Sequence, residues 1–266
     1  MAQPMYQRIA DDLRKKIDSG AFTEGSQLPT ELKLGAQYGV SRNTVRDAIK
    51  QLISQCLIET RHGQGTFVTT KVDPFVTMLA VDPHSVGSEE ASHLTGVHAE
   101  HRKASATPAR VGVQAPPEVV TRRLRVPSGT QLVSRHQERY IDDVPWSLQT
   151  SFYPLDFINR GASRLLMAED IPEGAVRYLA EVIGLTQIGY RDWITARSPD
   201  SNEQTFFRIS HDLMVFEIFR TAFDQHRKPM RVTVTVFPTN RNQFIVNVGN
   251  DLPDPKYDDK DPGDTE

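Results

Sequence analysis

The stretch "GVSRNTVRDAIKQL", residues 39 to 52, sets Ser41, Arg42, Asn43, Thr44 and Arg46 around the start of an apolar stripe. Val45, Ala48, Ile49, Leu52 and Ile53 fall at i, i+3, i+4, i+7 and i+8, one face of a helix. The chemistry open to the polar side is recognition. One helix fits the major groove of B-DNA, and its N-terminal residues meet the base edges. Arginine reads guanine O6 and N7 with two donors, which discriminates by a factor of about 5 to 150 per base. Thr44 suits a thymine methyl or a phosphate, Asn43 suits a base or a phosphate, and free N–H groups at a helix start attract phosphate. Taken alone, the two arginines read equally as solvated charges, so the neighbouring elements decide.

Those elements form one unit over residues 1–70. A helix over 5–19 places Ile9, Leu13 and Ile17 on one side, and Gly20 ends it. "LPTELKLGAQYG" offers Thr30 as N-cap, Leu32, Leu34 and Ala36 as apolar positions, and Gly39 as stop. Only Val40 separates Gly39 from Ser41, the next N-cap, so two short helices must cross steeply as in a helix-turn-helix. "CLIET" and "GTFVTT" then read as strands around "RHGQG", which puts His62, Gly63 and Gln64 at a tip suited to the minor groove. Three helices and a hairpin make a winged helix. Residues 1–72 carry 10 Lys/Arg against 7 Asp/Glu and the remainder 21 against 27, a basic front on an acidic body.

Other chemistries find little support. One cysteine, Cys56, excludes an intrachain disulfide and a cysteine-rich zinc site. There is no nucleophile elbow, phosphate loop or paired metal-ligand spacing, so neither an enzyme nor a metal or cofactor is expected. His93, His98 and His101 sit in a loop-like, Ser- and Gly-rich region and read as solvated. No apolar run approaches the roughly 20 residues that cross a bilayer, and the opening "MAQPMYQRIADDL" lacks a signal peptide's apolar segment, so a cytoplasmic location is expected. Residues 71–94 read as linker. The tail over 249–266 is acidic and Pro-rich and reads as disordered.

The body, residues 95–248, is strand-rich, with one clear helix in "PEGAVRYLAEVIGL". "RYIDDVPWSLQTSFYP" and "TAFDQHRKPMRVTVTVFP" share one scheme of strand, polar turn, proline, alternating strand, aromatic, proline. Pro145 and Pro154, like Pro229 and Pro238, stand nine residues apart; Arg135 lies ten before its proline and Arg220 nine. Two hairpins related by a pseudo-repeat are the economical reading. Trp146, Leu148, Thr150 and Phe152 alternate with Ser147, Gln149, Ser151 and Tyr153, and Val232, Val234 and Val236 with Arg231, Thr233, Thr235 and Phe237. The polar faces either meet water or line a ligand cleft; alternation leaves both open.

"GSQLPTELKLGAQYGVSRNTVRDAIKQL" followed by "RHGQGTFV" closely resembles the winged-helix domain of the GntR family of bacterial transcription regulators. The resemblance implies Thr30, Glu31, Arg42, Thr44, Arg46 and His62 to Gln64 as DNA-facing positions, with Glu31 suited to orienting an arginine. It departs at Cys56, where the family usually has the glycine of a left-handed turn, at a cost on the order of 1 kcal/mol. "QLVSRHQERYIDDVPWSLQTSFYP", "ARSPDSNEQTFF" and "FRTAFDQHRKPMRVTV" resemble the HutC branch, whose UTRA-type effector domain has the chorismate lyase fold. The implied class is α+β: a winged helix-turn-helix followed by an antiparallel-sheet effector domain. The implied function is a homodimeric, ligand-released repressor of a near-palindromic, double-stranded operator. The implied effector positions are Arg135, Arg139, Gln149, Ser151, Glu203 and Arg220. Gln149 and Arg231 stand where many relatives have Glu, which puts a sugar-phosphate ligand in doubt.

Overall fold

The computed structural model describes residues 3–55, 57–61, 63–69, 75–78 and 103–246. Cys56, His62, the three histidines of the 93–101 region and the tail over 249–266 lie outside them.

The front unit contains helices α1 (Met5–Asp18), α2 (Glu31–Tyr38) and α3 (Arg42–Ser54) and the hairpin β1 (Ile58–Arg61) with β2 (Gly65–Val68). The apolar stripes of α1 and α3 meet in one core, with Ile9, Leu13, Leu34, Val45, Leu52, Ile58 and Val68 almost wholly buried. Gly39 takes φ +66 between α2 and α3, a left-handed turn that an ordinary side chain resists. Leu32 and Ala36 are exposed, contrary to expectation. Positions two apart on a helix are separated by about 200°, so Leu32 and Ala36 cannot share the face on which Leu34 meets the core.

A short strand β3 (Phe75–Met78) falls inside the expected linker. It pairs in parallel with the last strand, β11 (Asn242–Ile245), so this part of the linker is tied to the end of the body. In the body, β4 (Ala104–Ala106), β5 (Arg110–Gln114), β6 (Leu132–Ile141), β7 (Val144–Pro154), β8 (Gln187–Arg197), β9 (Val215–Asp224) and β10 (Pro229–Pro238) form one antiparallel sheet. Its order is β4-β6-β7-β10-β9-β8, with β5 also on β6.

The two echoed hairpins, β6–β7 and β9–β10, mate through β7 and β10, with Phe152 opposite Val232 and Leu148 opposite Val236. Arg135, Ser151, Thr233 and Arg220 consequently stand in one row across four strands. Ser151 Oγ and Thr233 Oγ1, 3.0 Å apart, join the row at its centre. The echo in the sequence is a two-fold element of the sheet.

Helices cover both faces. On the Arg135 face, α5 (Asp156–Asn159), a 3-10 turn (Ser163–Leu166) and α6 (Ala175–Ile183) bury Val133, Tyr153, Phe157, Leu165, Leu179 and Ala222. On the other, α4 (Glu118–Leu124) covers Leu132, Phe152 and Val232, and α7 (Ser201–Phe207) brings Phe207 onto Val215 and Val236. Trp146 does not join Leu148 and Phe152. The register slips between Arg139 opposite Ser147 and Tyr140 opposite Pro145. Trp146 is the extra residue and packs with Ile141, Ile218 and Phe237 instead.

Candidate nucleic-acid interface and effector site

Ser41 caps α3: its Oγ accepts from the Thr44 N–H at 3.2 Å and lies 2.9 Å from Thr44 Oγ1. Arg42, Asn43 and Arg46 are exposed on the first turns, while Val45, Ala48 and Ile49 face the core. Thr30 caps α2 by accepting from the Lys33 N–H at 3.4 Å, which sets Glu31 at the start of that helix. Glu31 accepts from Arg46 Nε at 3.2 Å and from its terminal nitrogen at 3.1 Å, and approaches Arg42 Nε at 4.0 Å. The carboxylate raises the Arg46 pKa chiefly through those hydrogen bonds. Across a gap this wet, the pair stabilises the fold little and acts mainly to aim the guanidinium.

The wing is braced from below. Gln27 donates its amide to the Gln64 carbonyl at 2.7 Å, a contact that the sequence reading missed and that only the "GSQLP" turn could have hinted at. Gly65, at φ +118, lies so close to the Gln27 amide that a β-carbon there would collide with it. Gly63 also has positive φ, and Gly63 and Gln64 are exposed. Arg61 stacks on the Phe67 ring at 4.4 Å and pairs with Glu59 at 2.7 Å.

The expected effector residues divide. Cross-strand register puts Arg135, Arg139, Gln149, Ser151 and Arg220 on one face of the sheet. Arg135 is buried and donates to the main-chain carbonyls of Arg164, Leu165, Met167 and Glu169, which ties down the 3-10 turn and the loop after it. Arg220 is held by Asp192 in a two-point pair at 2.8 and 2.7 Å and lies over the Tyr190 ring. Arg139 and Gln149 are buried in adjacent rows beside Ser147, whose hydroxyl is fully buried and has no hydrogen-bond partner among the described residues. Gln137, opposite Gln149, donates to Asp170 at 2.9 Å.

Glu203 lies apart from these five. It completes the capping box of α7 with Asp200 and grips Arg197 through two bonds of 2.7 Å. It lines a cavity of about 890 Å³ over the opposite face of the sheet, floored by Leu148, Thr150, Phe152, Val234 and Val236. None of the other five lines that cavity.

Comparison with known proteins decides the family. The model for bacterial regulatory proteins of the gntR family matches residues 5–68, and that for the UTRA domain matches residues 99–243, more than half of the chain. The chain belongs to the GntR family and carries a UTRA effector domain. An uncharacterized HTH-type transcriptional regulator of Rhizobium meliloti (strain 1021) is 27% identical over 252 residues, 91% of this chain and 93% of its own. A probable fructoselysine utilization operon transcriptional repressor of Escherichia coli (strain K12) is 25% identical over 250 residues, 92% and 95% of the two chains. A crystal structure described as that of a GntR-family transcriptional regulator has a TM-score of 0.65 at 22% identity, covering 94% of this chain and 99% of that one.

This GntR-family chain is a ligand-responsive DNA-binding transcription regulator, and its relatives are regulators rather than enzymes. Among the described residues no helix is long and apolar enough to cross a membrane, and no group of three or more His, Cys, Asp or Glu residues is placed to hold a metal ion.

Proposed function

We propose that the regulator is a cytoplasmic repressor that binds a near-palindromic operator as a homodimer, one winged domain per half-site. In this reading α3 enters the major groove, with Arg42, Asn43, Thr44 and Arg46 toward the bases. Ser41 and Thr30 hold the helix starts against phosphate, and His62, Gly63 and Gln64 reach the adjacent minor groove. The observation that carries it is the exposed Arg46, aimed by Glu31 across the helix-turn-helix. Binding energy then goes into base contact instead of ordering a loose side chain. The Escherichia coli relative, described as an operon repressor, supports the sign.

The effector is a small polar or anionic molecule, and Arg139 with Gln149 is its recognition pair. The buried Arg139 cation, the Gln149 amide and the Ser147 hydroxyl, unpartnered among the described residues, stand on one face of the sheet, a set whose chemistry suits carboxylate or phosphate. Arg135 and Arg220 position the surrounding loop and strands, and Ser151 joins the hairpins. The parallel pairing of β3 with β11 gives the route by which effector binding biases the DNA-binding unit. The effector moves the balance only by its differential affinity for the two arrangements.

Footprinting the protein on DNA upstream of its own coding region, with and without small-metabolite extract, tests the whole reading. A symmetric protected site that extract releases supports it. Uniform binding to any DNA, or protection that no extract alters, contradicts it.

A further inference from the structure

The cavity above the Leu148 face is separate from the Arg139–Gln149 side, and its chemistry differs. Glu138, Leu148, Val236 and Glu217 stand in one row across β6, β7, β10 and β9. Three strand spacings put the two glutamate backbones about 14 Å apart, with an apolar floor between them. Phe152, Phe206 and Phe219 add aromatic walls. Size and walls are those of a small-molecule pocket.

Charge selects the occupant. Glu138, Asp200, Glu203 and Glu217 line the cavity against only Arg110 and Arg197. Arg110 is taken by Glu138 at 2.5 Å, and Arg197 is shared between Glu203 and Glu217 at 2.7 and 2.8 Å. Both Arg197 contacts to Glu217 fall on Oε1, so Oε2 has no hydrogen-bond partner among the described residues. His136, bonded to Thr150 at 2.8 Å, is held toward its neutral form by burial and by the Arg110 charge. Arg123 stacks on the Phe219 ring at 4.9 Å without lining the cavity. The lining therefore carries surplus negative charge beside aromatic rings, the pairing that holds organic cations.

We propose that this cavity is a second ligand site, and that it takes a small organic cation: an ammonium group accepted by Glu217 Oε2, on an aromatic or aliphatic body lying over Leu148 and Val236. The test uses the full chain and three probes with one body, 4-phenylbutylamine, 4-phenylbutanol and 4-phenylbutyrate, measured by calorimetry. The amine binds at least tenfold more tightly than the carboxylate, with the alcohol between. Glu217→Gln weakens the amine about tenfold and leaves the alcohol within twofold, while Glu217→Asp keeps the preference for the amine. Thr150→Trp, which fills the cavity from its floor, removes both. If Glu217→Gln gives no folded protein, the order of the three probes on the unaltered chain decides alone. Carboxylate binding as tight as the amine, an amine affinity indifferent to Glu217→Gln, or no amine binding up to its solubility limit overturns the proposal.

Discussion

Arg135 is an effector position by resemblance, and its surroundings support a structural task. Its guanidinium donates to four main-chain carbonyls, at 3.4 Å to Arg164 and 3.0 Å to Leu165 and Glu169, with Met167 closer still. Arg135→Ala removes those donors, although the Arg164 carbonyl keeps the Met167 N–H at 3.0 Å. A buried polar group left unpaired costs about 1–3 kcal/mol, and water reaches the more exposed Met167 and Glu169 end of the loop. Counting the Leu165 carbonyl as the one left uncompensated gives a loss of roughly 1–3 kcal/mol. For a chain of this size each kcal/mol is worth about 2–4 °C, so the effector domain should melt about 6 °C lower. Arg135→Lys, with one compact charge in place of a planar fork, should lose about half as much. Differential scanning calorimetry with and without operator DNA reads both variants. A melting temperature within 2 °C of the parent, together with a lost response to ligand, would refute the structural role and return Arg135 to the effector site.

The β6–β7 turn places Asp142 and Asp143 at φ +50 and +61, the mirror-image geometry that favours glycine. Asp143→Gly should raise stability by ~0.5–1 kcal/mol, whereas Asp142→Gly should not, because Asp142 Oδ1 accepts from the Lys103 N–H at 2.8 Å; urea titration separates the two. Ser41→Ala removes the cap of α3 and should cost the winged domain about 1 kcal/mol, read as a lower first transition on heating. His136 is pushed below its ordinary pKa by burial first and then by Arg110. Its neutral form is the native one, so its contribution is present above pH 6.5 and lost as pH falls through the lowered value. The urea midpoint should fall between pH 6.5 and 5 and fall less in His136→Gln; equal slopes would exclude the histidine.

The winged domain was legible because local rules agreed there. The stripes of α1 and α3, the caps Thr30 and Ser41 and the stop at Gly39 all point to one packing, and only Leu32 and Ala36 were misread through their spacing. The hairpin echo likewise survived as paired strands. The site in the body was less legible because alternation fixes which residues share a face and says nothing about what covers it. Gln149 and Ser151 are polar yet buried under helices, while the cavity opens over Leu148 and Phe152. The partners of Arg135 lie 29 to 34 residues away in places that no periodicity marks, and the bulge at Trp146 is a slip within one hairpin that alternation does not reveal. The pairing of β3 with β11 joins distant ends of the chain, so a Pro- and Ser-rich region was read as linker throughout.

Methylation interference at guanine N7 on the footprinted operator tests most directly whether the polar start of α3 reads bases. The parent protein should show interference at major-groove guanines in two symmetric half-sites, and Arg46→Ala should erase the same pair of signals while phosphate-ethylation interference elsewhere persists. An interference pattern identical in the parent and Arg46→Ala would contradict the account.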